Sequence, residues 1–126
     1  MSARSVDLDA IRIRFSTYRA LGGDERAALA ATLADAEAAE RVLIDTCHRV
    51  ELVTVGAPGA ADATGRDAVR RVFEVVAGFD SAVVAEEQLL GQVRGAYEAA
   101  LARRETGPIL NELFRRALRF GRRVRT

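Results

Sequence analysis

Lysine is missing altogether. All 19 basic residues are arginine, and alanine is abundant, which looks like the drift of a GC-rich genome, so the absence carries little chemistry. Cysteine and histidine occur once each, as the neighbours Cys47 and His48. A single cysteine excludes an internal disulfide framework, makes a cysteine-rich zinc site implausible and fits a reducing, cytoplasmic setting. No apolar run approaches the ~20 residues that span a bilayer. Met1-Ser-Ala-Arg leads into no apolar signal core.

What is present is ordinary in bulk: 126 residues, 49% hydrophobic and 29% charged, suit one domain with a real core. Net charge is only +1, but it is unevenly spread. From Leu101 onward, Arg103, Arg104, Arg115, Arg116, Arg119, Arg122, Arg123 and Arg125 face only Glu105 and Glu112. Such a tail could meet nucleic-acid phosphate. The plainer reading is an amphipathic helix with an arginine-rich outer face.

The first eight or nine residues show no period and are expected to fray. Ile11-Arg-Ile13-Arg-Phe15 alternates as a half-buried strand does. Gly22-Gly23 breaks that pattern, and Asp24 can cap a helix running to about Glu40, with Leu29, Leu33 and Ala36 inward. Arg41 to Thr46 and Val50 to Val55 read as strands, with Cys47 and His48 at the bend between them. Gly56 to Gly65 is a small-residue loop and the expected site of mobility. Val69, Val72, Phe73 and Val76 mark a helical face ending near Gly78. Ser81 to Ala85 reads as a fourth strand. Leu89, Leu90, Val93, Ala96, Tyr97, Ala100 and Leu101 follow the helical period. Thr106-Gly107-Pro108 interrupts it, and Pro108 opens a last helix with Ile109, Leu110, Leu113, Phe114, Ala117, Leu118, Gly121 and Val124 inward. The order β-α-β-β-α-β plus two C-terminal helices predicts an α+β, ferredoxin-like sandwich. One sheet face is then left free for a site, or for the extra helices to cover.

The chemistry concentrates in Asp45-Thr46-Cys47-His48-Arg49-Val50-Glu51-Leu52. A thiolate is a strong nucleophile, and nearby positive charge favours that form. In extended chain, Cys47 and Arg49 would share one face and His48 the other. A lone cysteine beside a strand is ordinarily buried filler.

Two blocks change that weighting. Thr46-Cys47-His48-Arg49-Val50-Glu51 is similar to the Thr-Cys-Asn-Arg-x-Glu motif of the N-terminal catalytic domain of glutamyl-tRNA reductase, the enzyme that begins the five-carbon route to tetrapyrroles. Gly78-Phe-Asp80-Ser81-Ala-Val-Val-Ala85-Glu86-Glu87-Gln88-Leu-Leu-Gly91-Gln92 resembles its Gly-Leu-Asp-Ser-Leu-Val-x-Gly-Glu-x-Gln-Ile-Leu-Gly-Gln block. The tail from Leu113 also resembles the entry into that family's long connecting helix, which would begin near residue 108. The resemblance implies Cys47 as the nucleophile on the ester carbonyl of glutamyl-tRNA and Arg49 as the holder of the substrate carboxylate. It implies Thr46, Ser81, Glu86, Gln88 and Gln92 as further substrate contacts, with His48 and Glu87 in the same binding stretches. His48 reads as a bystander to the chemistry, since adjacent strand residues face opposite ways and the family carries asparagine there. Glu86 would offset the α-ammonium group. NADPH would then reduce the thioester to glutamate-1-semialdehyde in the full enzyme.

The departures are specific. Counting back from Ser81, Arg71 stands where the family usually carries histidine. Its early Ser-His-x-x-Ala-Pro motif appears only as Ser16-Thr17-Tyr18-Arg19-Ala20-Leu21, the segment after Glu51 is short, and Ala85 replaces glycine. No Gly-rich dinucleotide loop follows a strand. The expectation is one domain, 1–126, holding no cofactor and no metal, with the NADPH-binding and dimerisation domains absent and available as partners. Alone it would manage acyl transfer to Cys47 without the reduction. The alternative is a non-catalytic, stand-alone relative that binds aminoacyl-tRNA, an amino acid or a partner protein. A general RNA-binding sheet fits poorly, because the predicted strands offer Val, Ile and Leu where such sheets show stacking aromatics.

Overall fold

Alternating apolar residues in Ile11–Thr17 make β1, and two further runs make β2 (Glu40–Asp45) and β3 (Arg49–Val55). The computed structural model describes residues 9–17, 24–25, 27–28, 31, 37–45, 49–57, 59–77 and 86–124. A two-residue strand β4 (Ala63–Thr64) is followed by α1 (Gly65–Ala77), α2 (Glu86–Ala102) and α3 (Pro108–Val124). Asp24, Glu25, Ala27, Ala28 and Ala31 are helical. The frayed N-terminus, Gly22-Gly23, the inward positions Leu29, Leu33 and Ala36, and the strand expected at Ser81–Ala85 lie outside the described residues.

The sheet runs β2-β3-β1-β4, antiparallel throughout. The α+β class therefore holds, but among the described residues the fourth strand differs from the expected one. Ala63 and Thr64 pair with Ile13 and Arg12, inside the stretch read as a loop. Left-handed backbone at Gly56 (φ 78°), Gly59 (φ 92°) and Gly65 (φ 56°) folds this segment back onto β1. Two residues are too few to show any alternation. A second correction concerns Glu40, read as the end of the first helix: Glu37 and Ala38 are already non-helical, and Glu40 opens β2.

All three C-terminal helices share one layer. Ile11, Ile13, Val42, Ile44, Val53 and Val55 on the sheet meet Val72, Val75 and Val76 of α1, Val93 and Tyr97 of α2, and Leu110 and Phe114 of α3 in a single core. Tyr97 stacks on Phe114 at 5.5 Å between ring centroids, and its hydroxyl donates to Asn111 Oδ1 at 2.9 Å. Truncating a core aromatic such as Phe114 to alanine costs about 3–5 kcal/mol. Gly121 lets α3 approach both neighbours, since a Cβ there would lie 2.9 Å from Leu90 Cδ1 and 3.0 Å from the Val76 carbonyl oxygen. The outward face of α3 carries Arg115, Arg116, Arg119, Arg122 and Arg123, all exposed, with Arg116 paired to Glu112. Two stripe residues deviate from the expected inner face: Leu101 and Val124 are 42% and 44% exposed.

The second sheet face is not open along its centre. Leu52 and Thr54, which alternate with the core residues Val53 and Val55, are also buried. β3 is thus enclosed on both sides, which explains its near-continuous apolar sequence.

Candidate active site

The segment that holds Cys47 joins two neighbouring antiparallel strands. Asp45 lies opposite Val50, so residues 46–48 connect β2 to β3, and Arg49, the first residue of β3, lies opposite Thr17 of β1. Thr46, Cys47 and His48 fall outside the described residues.

Further along β3, Glu51 is the only charged residue in the run Val50–Val55, and it is 1% exposed. A buried carboxylate is costly unless it is paired and hydrogen-bonded. Arg71, on α1, provides this with two-point contact. Its Nε donates to Glu51 Oε1 at 3.1 Å and its terminal nitrogen to Oε2 at 3.4 Å. The arginine side chain retains 14% exposure against 2% for the carboxylate. The position singled out as a departure therefore pairs with a member of the Cys-His-Arg motif itself. A lone acid inside an apolar strand was the available signal; its partner, 20 residues on, was not.

Among the described residues β2 is the end strand of the sheet, and it lies against α2. An open cleft of about 350 Å3 runs between them. Arg41, Leu43 and Asp45 line it from β2, and Gln92, Ala96, Ala99, Ala100 and Arg103 from α2, with Glu105 closing one end. The alanines leave the space open, because larger side chains there would fill it. Asp45 and Gln92 are exposed at the cleft wall. Glu86, Glu87 and Gln88 form the first turn of α2. Ser81 lies outside the described residues. Of the expected site, then, Arg49, Glu86, Glu87, Gln88 and Gln92 have described positions, and Gln92 shares a cleft with Asp45, two residues before Cys47. Asp45, Arg103 and Arg71 had not been identified as neighbours of the site.

The profile of the glutamyl-tRNAGlu reductase N-terminal domain matches residues 10–126. The chain belongs to that family. Among its relatives, the glutamyl-tRNA reductase of Rubrobacter xylanophilus is 43% identical over 110 residues, covering 68% of this chain and 26% of the relative. Glutamyl-tRNA reductase 2 of Anaeromyxobacter dehalogenans is 38% identical over 125 residues, covering 85% of this chain and 28% of the relative. The structure of glutamyl-tRNA reductase from Methanopyrus kandleri superposes with a TM-score of 0.76 at 26% identity, over 93% of this chain and 34% of that one. The chain thus spans about a quarter to a third of the length of the relatives it matches. Among its described residues, no helix is long and apolar enough to cross a membrane.

Proposed function

We propose that this chain is the catalytic domain of a glutamyl-tRNA reductase and acts in the cytoplasm on glutamyl-tRNA. The observation that carries the reading is the convergence of two distant segments. Asp45, beside the nucleophile motif, and Gln92, in the second motif block, line one cleft. Chain geometry keeps Cys47 within about 7 Å of Asp45, Cα to Cα. The terminal nucleotide of a glutamyl ester can then approach along the β2–α2 cleft.

In this reading the Cys47 thiolate attacks the ester carbonyl carbon. A C–S bond forms, the C–O bond to the terminal ribose breaks, and the released ribose oxygen takes up a proton, leaving a glutamyl thioester on Cys47. Arg49 holds the side-chain carboxylate, a task suited to a forked and permanently charged donor. Glu86 offsets the α-ammonium group. Thr46, Ser81, Gln88 and Gln92 supply hydroxyl and amide contacts, with His48 and Glu87 beside them. The described residues do not fit NADPH. A dinucleotide site of the usual kind needs a parallel strand–turn–helix unit with a glycine-rich turn, and the described sheet is wholly antiparallel. In this reading the described residues take no part in reducing the thioester, and NADPH-binding and dimerisation domains of the family's kind would be partners.

The test is to incubate the chain with radiolabelled glutamyl-tRNA and count label on acid-quenched protein. Label on the wild type and none on Cys47→Ser is expected. Equal label on both would overturn the nucleophile. A stable complex with no transfer at all would identify a non-catalytic binder of aminoacyl-tRNA.

A further inference from the structure

We propose that the ridge formed by α2 and α3 is a docking surface for the backbone of double-helical RNA, the stem of the tRNA whose aminoacyl end enters the β2–α2 cleft. The inference rests on the reading of glutamyl-tRNA as substrate. It starts from the spacing of arginine on α3. Arg115, Arg119 and Arg122 fall at i, i+4 and i+7, so they share one stripe about 60° wide and span about 10 Å of helix. All three are exposed, on the side opposite the buried Leu110, Leu113, Ala117 and Gly121.

A fourth arginine joins them from α2. Tyr97 stacks on Phe114, and a Cβ at Gly121 would touch Leu90, so the two helices run antiparallel with these residues level. Arg94 lies between Leu90 and Tyr97, about one turn from each on the same side of α2, which brings it level with the stripe. It too is exposed. Arg94, Arg115, Arg119 and Arg122 hold no ion pair among the described residues. Arg116, paired with Glu112, and Arg123 flank them. The acids of the two helices are Glu86, Glu87, Glu98 and Glu112, so arginine outnumbers them even with the first turn of α2 included.

Such a row complements a polyanion. The stripe carries no aromatic residue, which single-stranded RNA needs for base stacking. Protein interfaces centre on aromatic and apolar side chains. Here the large exposed apolar residues, Leu101 and Val124, sit only at the helix ends. Guanidinium groups at regular intervals instead suit the repeating phosphates of a duplex, which is recognised by shape. Position agrees with that partner. Gln92, Ala96, Ala99 and Arg103 line the cleft from the other side of α2, so one helix, about 10 Å thick, separates ridge from cleft. A short unpaired end crosses that thickness while the stem rests on the ridge.

The test is fluorescence anisotropy of labelled, uncharged tRNA titrated with the intact chain over a range of KCl concentrations. The variant Arg115→Gln/Arg119→Gln/Arg122→Gln should bind about 10- to 100-fold more weakly at low salt. Its plot of log affinity against log salt should be shallower by about 2–3. Arg119→Lys should stay within about twofold of wild type, because a phosphate also accepts a point charge. Arg14→Gln, which removes an exposed arginine from β1, should change neither quantity and so separates the ridge from net charge. An unchanged slope in the triple variant would overturn the proposal. So would tighter binding of polyglutamate, or of single-stranded RNA of equal length.

Acylation separates this surface from the proposed function. Labelling of Cys47 by glutamyl-tRNA should fall in the triple variant in proportion to binding. Labelling by glutamyl-adenosine, which has no stem, should not change. If the triple variant is labelled by both esters as the wild type is, the ridge is overturned and Cys47 stands. A wild type that binds tRNA with the expected arginine dependence but is never labelled supports the ridge and locates the failure in the proposed function.

Discussion

Glu40 illustrates how one side chain can serve two elements. It is 6% exposed at the start of β2, and its carboxylate accepts the amides of Gly107 at 2.7 Å, Leu110 at 2.8 Å and Ile109 at 3.3 Å. These are the orphan donors at the start of α3. The carboxylate works as an N-cap supplied from 67 residues away in sequence. Gly107 is needed for the approach, since a Cβ there would lie 2.9 Å from Glu40 Cδ. Glu40→Ala should cost about 2–3 kcal/mol, combining loss of a cap with stranded buried donors. Glu40→Gln, which keeps one acceptor oxygen, should cost roughly half as much. Urea unfolding monitored by circular dichroism measures both, and a loss under about 0.5 kcal/mol for alanine would show that water replaces the carboxylate freely. Nothing local in the sequence distinguishes this acid from the helix-ending residue it was read as.

At the scale of elements, the break between α2 and α3 was legible, but its mechanism was not. Gly107 and Pro108 mark the interruption. The chain had already left the helix at Arg104, which is left-handed at φ 60°. The amide of Glu105 bonds the Ala100 carbonyl at 2.9 Å and that of Arg104 bonds Leu101 at 3.0 Å, the paired contacts of a Schellman turn. Glycine normally occupies that left-handed position, so arginine there holds a less favoured backbone state. Arg104→Gly should therefore stabilise the chain by about 0.5–1 kcal/mol, or a few degrees in Tm. No gain would mean that the flexibility added to the unfolded chain offsets the relief. The strands β1, β2 and β3 and the helices α1 to α3 followed their apolar periods closely. β4 did not, because its two residues are held by the backbone turns around them and not by a pattern of their own.

For the whole molecule, order along the chain predicted the class, while the contacts that unite the site are long-range. The motif around Cys47 and the block ending at Gln92 were each readable alone. That they line one cleft depends on α2 lying against β2, which no local period encodes. The Glu51–Arg71 pair depends in the same way on α1 packing against β1, the strand beside β3. The Glu40 tie reaches further still, because its backbone belongs to the strand that leads to Cys47 and its oxygens belong to the last helix. In hydrogen-exchange terms, the two therefore form one opening unit. The amides of Gly107 and Leu110 should exchange with free energies within about 1 kcal/mol of those of Val42 and Ile44. Exchange at the helix start several kcal/mol easier than in the strand would show that the two open separately. If they open together, loosening the first turn of the final helix releases the root of the strand that leads to Cys47.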